Sequence, residues 1–250
     1  MTNELVHVRV DDQVATITLD SEHNRNALSK QLMSELAGCL QSADADNEVK
    51  AIVLRSAGRV FCSGADLTEA SEGGMGEGTT SIIGLQRQIA AADTPVIVVL
   101  AGPVRAGGLG LVGAADIVLA ADSVSFALTE SRLALAPAVI SLSLLERFGD
   151  RAAAELFLTG RTFDAAEAVA AGLITRAVPD AELDQVLADV LDELSQAHVQ
   201  GLRETKRLLN RDLLARIDAQ GDAVAEQSAR LFASDAAREA MHAFLTKRKA

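Results

Sequence analysis

Two stretches of this chain carry glycines where an apolar strand runs into the next element, and such junctions can present free main-chain N–H groups to an oxyanion. The first is Phe61-Cys62-Ser63-Gly64-Ala65-Asp66-Leu67, after the apolar run Ala51 to Arg55. The second is Ala101-Gly102-Pro103-Val104-Arg105-Ala106-Gly107-Gly108-Leu109-Gly110, after the run Val96 to Leu100. The opening N–H groups of a helix have no acceptor inside it. Two of them aimed at one point form an oxyanion hole, in which a donor is typically worth about 3–4 kcal/mol to the transition state. Gly107 and Gly108 have no Cβ and would let the main chain approach a ligand; the same glycines also suit tight turns and close helix packing. The second stretch does not keep G-x-G-x-x-G spacing, so no dinucleotide site is read there.

Other chemistries are excluded by what is missing. The chain has no Tyr, so no tyrosine acts as a general acid. His7, His23, His198 and His242 are scattered without metal-ligand spacing, and no metal site is expected. Cys39 and Cys62 read as reduced thiols.

The elements that must position these residues alternate through the first half. Val14 to Leu19 alternates as a strand, and Ala51 to Arg55 and Val96 to Leu100 read as buried strands. Leu28, Leu32, Leu36 and Leu40 form a helical stripe, and Ser81 to Ala92 is predicted to be a helix with Ile82, Leu85 and Ile89 inward. Gly107 to Ala115 reads as a tightly packed helix, followed by strands at Ile117 to Ala120 and Val124 to Phe126. Ser71 to Thr80 reads as a mobile surface loop. From Val139 onward the pattern is almost entirely helical. Asp164 is a predicted N-cap with Glu167 completing a capping box, and Gly172 suits the left-handed C′ position. Further helices are predicted at Ala181 to Leu194, Leu202 to Ile217 and Ala223 to Leu245. This order predicts an α/β core with a C-terminal helical region; the division is placed at 1–195 and 196–250.

At 250 residues, 49% hydrophobic, the chain can bury a large core, and its formal net charge of -12 argues against a nucleic-acid partner. No apolar run reaches the roughly 18 residues of a membrane span. The N-terminus has neither basic nor apolar signal regions. A cytoplasmic protein is expected.

The combination Asn24-Arg25-Asn26-Ala27-Leu28, then FCSGADL, then PVIVVLAG with AGGLGL and AAD, resembles the crotonase (enoyl-CoA hydratase/isomerase) family in order and spacing. SFALTESRLALAP, Leu158-Thr159-Gly160, Ala171-Gly172-Leu173 and the C-terminal Phe244 to Lys249 extend the likeness over nearly the whole chain. The resemblance implies a spiral of ββα units with a C-terminal helical region that forms a homotrimer or a dimer of trimers. It implies an enzyme of fatty acid metabolism acting on acyl-CoA thioesters, with coenzyme A as part of the substrate and no separate cofactor. The amides of Ala65 and Gly107 map onto the oxyanion donors and Glu130 onto a catalytic acid/base. Arg25, Ala27, Ser63, Asp66, Phe244 and Lys247 map onto the CoA site, with the tail residues often reaching a neighbouring subunit.

One departure bears on the reaction. Family hydratases usually carry a second glutamate in the helix after the second oxyanion glycine, and here that position is Gly110. Hydration with Glu130 as its acid/base is the first expectation. Enoyl-CoA isomerisation by a single glutamate, or acyl-CoA binding without catalysis, are the alternatives. Replacing Gly110 by Glu is expected to raise hydration if the pocket is otherwise intact. The roles of Arg105, Ser131 and Arg132 stay open.

Overall fold

The computed structural model describes residues 4–69 and 76–247. The chain opens with a hairpin of β1 (Val6–Asp11) and β2 (Val14–Leu19). Its two-residue turn puts Asp12 and Gln13 at φ 45° and 66°, the sign of φ that the right-handed strand twist requires. Parallel strands β3 (Ala51–Ser56), β4 (Val96–Leu100), β6 (Ile117–Ala121) and β9 (Arg176–Val178) extend it into a six-stranded sheet of order β1-β2-β3-β4-β6-β9. β4 is buried at every residue, as a parallel strand covered on both faces must be. A second sheet holds β5 (Val104–Arg105), β7 (Ser125–Ala127) and β8 (Thr162–Asp164). Single bridges pair Cys62 with Val104 and Leu28 with Ala65. These bridges bring the two glycine-bearing strand ends together.

The helices that frame the sheets are α1 (Lys30–Ala45), α2 (Gly76–Ala91), α3 (Gly107–Ala114), α4 (Ala138–Leu144), α5 (Asp150–Thr159), α6 (Ala165–Ala170), α7 (Leu183–Ser195), α8 (Val199–Phe232) and α9 (Asp235–Lys247). The α/β core and helical C-terminal region match the expectation. So does the start of α6, where the Glu167 N–H donates to Asp164 Oδ1 at 2.8 Å and Gly172 takes φ 88°. The Glu167 carboxylate does not close a capping box; it pairs with Arg161.

Three expectations are corrected. β8 and β9 interrupt the C-terminal half, because short strands that complete a sheet edge carry too few residues to show a period of two. Within the stretch expected to be a loop, α2 begins at Gly76 and residues 71–75 lie outside the described residues; Thr79, 1% exposed, is buried against the cavity described below. The helix expected to end at Ile217 continues to Phe232. Gly221 does not break it, because the glycine is buried where α8 passes close to Ile83 of α2. The break falls at Ser234, whose Oγ accepts the Ala237 N–H at 3.2 Å and so caps α9.

One buried ion pair fastens α8 to the sheet. Lys206 is 3% exposed, and its Nζ donates to Ile89 O and Thr94 O at 2.9 Å each and meets Asp116 Oδ2 at 2.8 Å. Asp116 also accepts from Val96 N and from Asn210 Nδ2, both at 2.8 Å. Every ammonium proton is therefore used, and the carboxylate is shared between the start of β4 and α8. No helix among the described residues is long and apolar enough to cross a membrane. Removing one partner of a buried pair strands the other charge, at about 3–5 kcal/mol. Lys206→Ala should lower the unfolding free energy by about that amount in a denaturant titration; a loss below about 1 kcal/mol would show the pair to be dispensable.

Candidate active site

A cavity of about 700 Å³ lies where the two strand ends, α2, α4 and the C-terminal helices meet. Ala65 and Gly107 both line it. A methyl group placed on Gly107 would stand 3.7 Å from the Ala65 nitrogen, and one on Gly64 would stand 3.6 Å from the Gly107 nitrogen. The two amides are thus neighbours. Neither donates to an acceptor among the described residues, and Gly107, as the first residue of α3, has none available within its helix.

Local backbone chemistry holds this arrangement. Gly64 sits at φ 95°, and a methyl group there would lie 2.9 Å from Ala106 Cβ, so this position requires glycine twice over. Ala106 takes φ 46° and ψ −122°, a conformation that costs a non-glycine residue about 1–3 kcal/mol. Its neighbours fix it: Ala106 N donates to Ala127 O at 3.0 Å and Arg105 N to Cys62 O at 2.9 Å. Gly108 faces Cys62 and Val104, so its lack of a side chain serves packing of α3 on the strands, whereas Gly107 serves the cavity.

Glu130 enters the cavity from a short 3-10 turn, Thr129–Leu133, that follows β7. Its Oε2 is buried with no hydrogen-bond partner among the described residues. Burial pushes the carboxyl from its ordinary 4.5 up to about 7, because the charged form loses its hydration. Leu133, Leu135, Pro137, Val139 and Ile140 continue the wall from there and explain the low polarity. The cavity's other carboxylate, Asp66, is committed elsewhere: it accepts from Asn24 Nδ2 at 3.1 Å and from Thr68 N at 3.0 Å.

Part of the cavity wall is built by the Asn-Arg-Asn segment. Arg25 and Asn26 both adopt left-handed backbone, φ 60° and 52°. Asn26, a residue type that tolerates this region, is 1% exposed and locks the turn. Its Oδ1 accepts the Ser21 N–H at 2.7 Å and its Nδ2 donates to Val60 O at 2.9 Å. Ser63 N then donates to Arg25 O at 3.1 Å and Ser63 Oγ to Asn24 O at 3.1 Å, drawing the segment against the first strand end.

A model of the enoyl-CoA hydratase/isomerase family matches residues 9–250. The chain belongs to the enoyl-CoA hydratase/isomerase family. It is 33% identical over 213 residues to the Mycobacterium bovis protein named "Probable enoyl-CoA hydratase echA8", covering 84% of this chain and 83% of that one. The solved structure of an enoyl-CoA hydratase from Mycobacterium avium is 43% identical with a TM-score of 0.91, over 98% of both chains. The 1,2-epoxyphenylacetyl-CoA isomerase of Escherichia coli is 29% identical over 253 residues, 98% of this chain and 97% of that one. Its mixed α/β core with a helical C-terminal region is the crotonase fold of these relatives.

In this enoyl-CoA hydratase/isomerase family member the cavity gathers Ala65, Gly107, Glu130, Arg25, Ala27, Ser63, Asp66 and Phe244. Phe244 lines the cavity of its own chain. Lys247 ends α9, and its side chain lies outside the described residues, as do Arg248 and Lys249. Arg132 is directed away, its Nε donating to Thr159 O at 2.9 Å. Ser131 does not line the cavity, although its Oγ is buried without a partner among the described residues.

Sequence reasoning missed Gln86. This glutamine is fully buried; its Nε2 donates to Val139 O at 3.1 Å and its Oε1 accepts from Ser143 Oγ at 2.7 Å. It ties α2 to α4 and fills the space beside α3. A methyl group on Gly110 would lie 3.0 Å from Ile140 Cγ2 and 3.1 Å from Gln86 Cδ. The lone sequence signal is a polar residue on the inward stripe between Leu85 and Ile89, and it does not say what the amide touches. The expectation that Gly110→Glu raises hydration meets this crowding, because Ile140 and Gln86 would each have to give by a few tenths of an ångström. Gly110→Glu should instead overpack the α2–α3–α4 junction and cost about 1–3 kcal/mol, read from the denaturation midpoint, with no gain in hydration rate.

The raised pKa of Glu130 has a consequence whose sign can be measured. A carboxyl of pKa about 7 in the folded state and 4.5 when free binds more protons folded than unfolded between those values. Its contribution to stability is therefore complete below 4.5 and lost as pH rises through 7. At about 1.4 kcal/mol per pH unit this window is worth about 3 kcal/mol. Glu130→Gln should be more stable than the parent at pH 8 and lose that advantage at pH 4.5; a constant difference in Tm would place the carboxylate in water.

Proposed function

We propose that this protein acts on acyl-CoA thioesters, stabilises their enolates with the Ala65 and Gly107 amides, and uses Glu130 as its single acid/base. The reaction the site supports best is migration of an enoyl-CoA double bond. The observation that carries this reading is a buried Glu130 Oε2 without a hydrogen-bond partner among the described residues, lining the same cavity as two main-chain N–H groups that have no acceptor there. A pKa near 7 lets one group both take and return a proton near neutral pH.

In this reading the Glu130 carboxylate removes an α-proton from a 3-enoyl-CoA. The C–H electron pair becomes the π bond between the α-carbon and the carbonyl carbon, the carbonyl π pair moves onto oxygen, and the two amides hold the dienolate oxygen. The protonated Glu130 then delivers the same proton to the γ-carbon, the α,β double bond forms, and the free carboxylate is regenerated. Nothing is consumed. The apolar wall from Leu133 to Ile140 keeps competing water from the reacting carbons and suits the hydrocarbon part of an acyl group.

Hydration usually employs a second acid, and Gly110 stands where family hydratases carry it. Gln86 and Ile140 occupy the adjoining space, which weighs against a second carboxyl reaching in from α3. Hydration with water activated by Glu130 alone is the second reading, favoured by the names of the relatives in mycobacteria. For the CoA moiety, Arg25, Ala27, Ser63, Asp66 and Phe244 line the cavity, and Lys247 is assigned to it by the resemblance. The homotrimer or dimer of trimers belongs to the same proposal; Leu208 and Leu209, each 71% exposed on α8, support an association surface there.

Purified protein should convert 3-hexenoyl-CoA to the conjugated 2-enoyl isomer, seen as a gain in enoyl absorbance, faster than it hydrates crotonyl-CoA. Glu130→Gln should lower kcat by about 10²–10⁴-fold and leave butyryl-CoA affinity unchanged. Rapid hydration without isomerisation would install the second reading. Thioester binding with neither reaction would leave an acyl-CoA-binding protein.

A further inference from the structure

Arg105 closes β5 one residue before the strained Ala106, and it lines the same cavity as Glu130. It is half-buried, and its guanidinium is held in place. Nη1 donates to Val104 O at 2.9 Å and to Ser125 O at 2.6 Å, and Nη2 donates to Ser125 Oγ at 2.9 Å. All three acceptors are neutral. No carboxylate among the described residues pairs with it, although the chain holds 35 acidic residues against 23 lysines and arginines.

Most other partly buried arginines have an answer to their charge. Arg161 has Glu155 and Glu167, and Arg216 has Glu146. Arg147 bonds Gly113 O and Ala115 O at the C-terminal end of α3, where the helix carries partial negative charge. The carbonyls on Arg105 come from strands and offer no such end. Three bonds leave two of its five N–H donors without an acceptor among the described residues. Burial alone pushes its guanidinium below the ordinary value. A half-desolvated cation on a residue that lines the cavity, with donors to spare and no acid among the described residues, is arranged for an anion from outside.

We propose that Arg105 binds an anionic oxygen of the substrate, either a phosphate of the CoA moiety or a carboxylate carried on the acyl group. The inference rests on the acyl-CoA reading above and adds a residue that neither the strand-end motifs nor the single glutamate accounts for.

Calorimetric titration of parent, Arg105→Gln and Arg105→Lys with three saturated, unreactive thioesters tests it: butyryl-CoA, butyryl-pantetheine and glutaryl-CoA. Arg105→Gln should weaken binding about tenfold, and Arg105→Lys should recover part of it by keeping the charge. Loss with both CoA esters but not the pantetheine ester assigns the phosphate. Loss with glutaryl-CoA alone assigns the acyl carboxylate. Unchanged affinity for all three ligands, with or without a fall in Tm, overturns the proposal and leaves Arg105 a brace for Ser125. Equal weakening of all three, the pantetheine ester included, also overturns it, because no anion is then being read. Should Arg105→Gln not fold, the Lys variant on the same ligands decides by the same pattern. If the parent binds none of them, the acyl-CoA reading fails and takes the inference with it.

Discussion

A largely buried carboxyl group in one cavity with main-chain N–H groups that have no acceptor among the described residues is an expensive arrangement, and most of this fold can be understood as what maintains it. An uncompensated buried polar group costs about 1–3 kcal/mol in ordinary protein interiors. Here Glu130 Oε2 has no partner among the described residues, and the Ala65 and Gly107 amides have no acceptor there. Ala106 adds backbone strain at φ 46°. Strain and unsatisfied groups persist where surrounding structure over-determines them. The surrounding structure is the second sheet, where β5 is pinned between Cys62 and β7 so that the start of α3 cannot relax.

The large sheet and the C-terminal helices supply the rigidity. β3 and β4 end near the two glycine-bearing turns, so sheet register sets how far apart the amides lie. α8 contributes Ser228 and Phe232 to the cavity wall while being bolted to β4 through Lys206, Asn210 and Asp116. α9 returns over the turn that carries Glu130 and brings Phe244 to the cavity. On the proposed reading, a site that binds a thioester and excludes water is closed by the same helices that complete the fold.

Much of this was legible in the sequence because it is local. The FCSGADL and AGGLGL stretches announce strand ends with free amides. Asp164 and Gly172 mark a helix start and stop by their own side-chain and backbone chemistry. Other features depend on contacts between distant segments. Gln86 looks like any polar residue in a helix until α4 and the small Gly110 of α3 are packed around it. Lys206 lies on a long helix and is buried there because three acceptors, in α2, in the turn before β4 and just before β6, converge on it. Gly221 mimics a helix stop and is instead a contact point with Ile83. Arg105 was visible as a charge near a strand end, and only its set of neutral partners gives it meaning.

The central claim is that the 65 and 107 amides polarise a thioester carbonyl beside Glu130. Isotope-edited infrared spectroscopy of butyryl-CoA labelled with carbon-13 at the carbonyl reads this directly. Bound to the protein, the labelled carbonyl should absorb at clearly lower frequency than in water, as two aligned donors in an apolar cavity would require. A bound ligand whose carbonyl frequency is unchanged or higher would mean that the thioester oxygen does not meet these amides, and the account would be wrong at its centre.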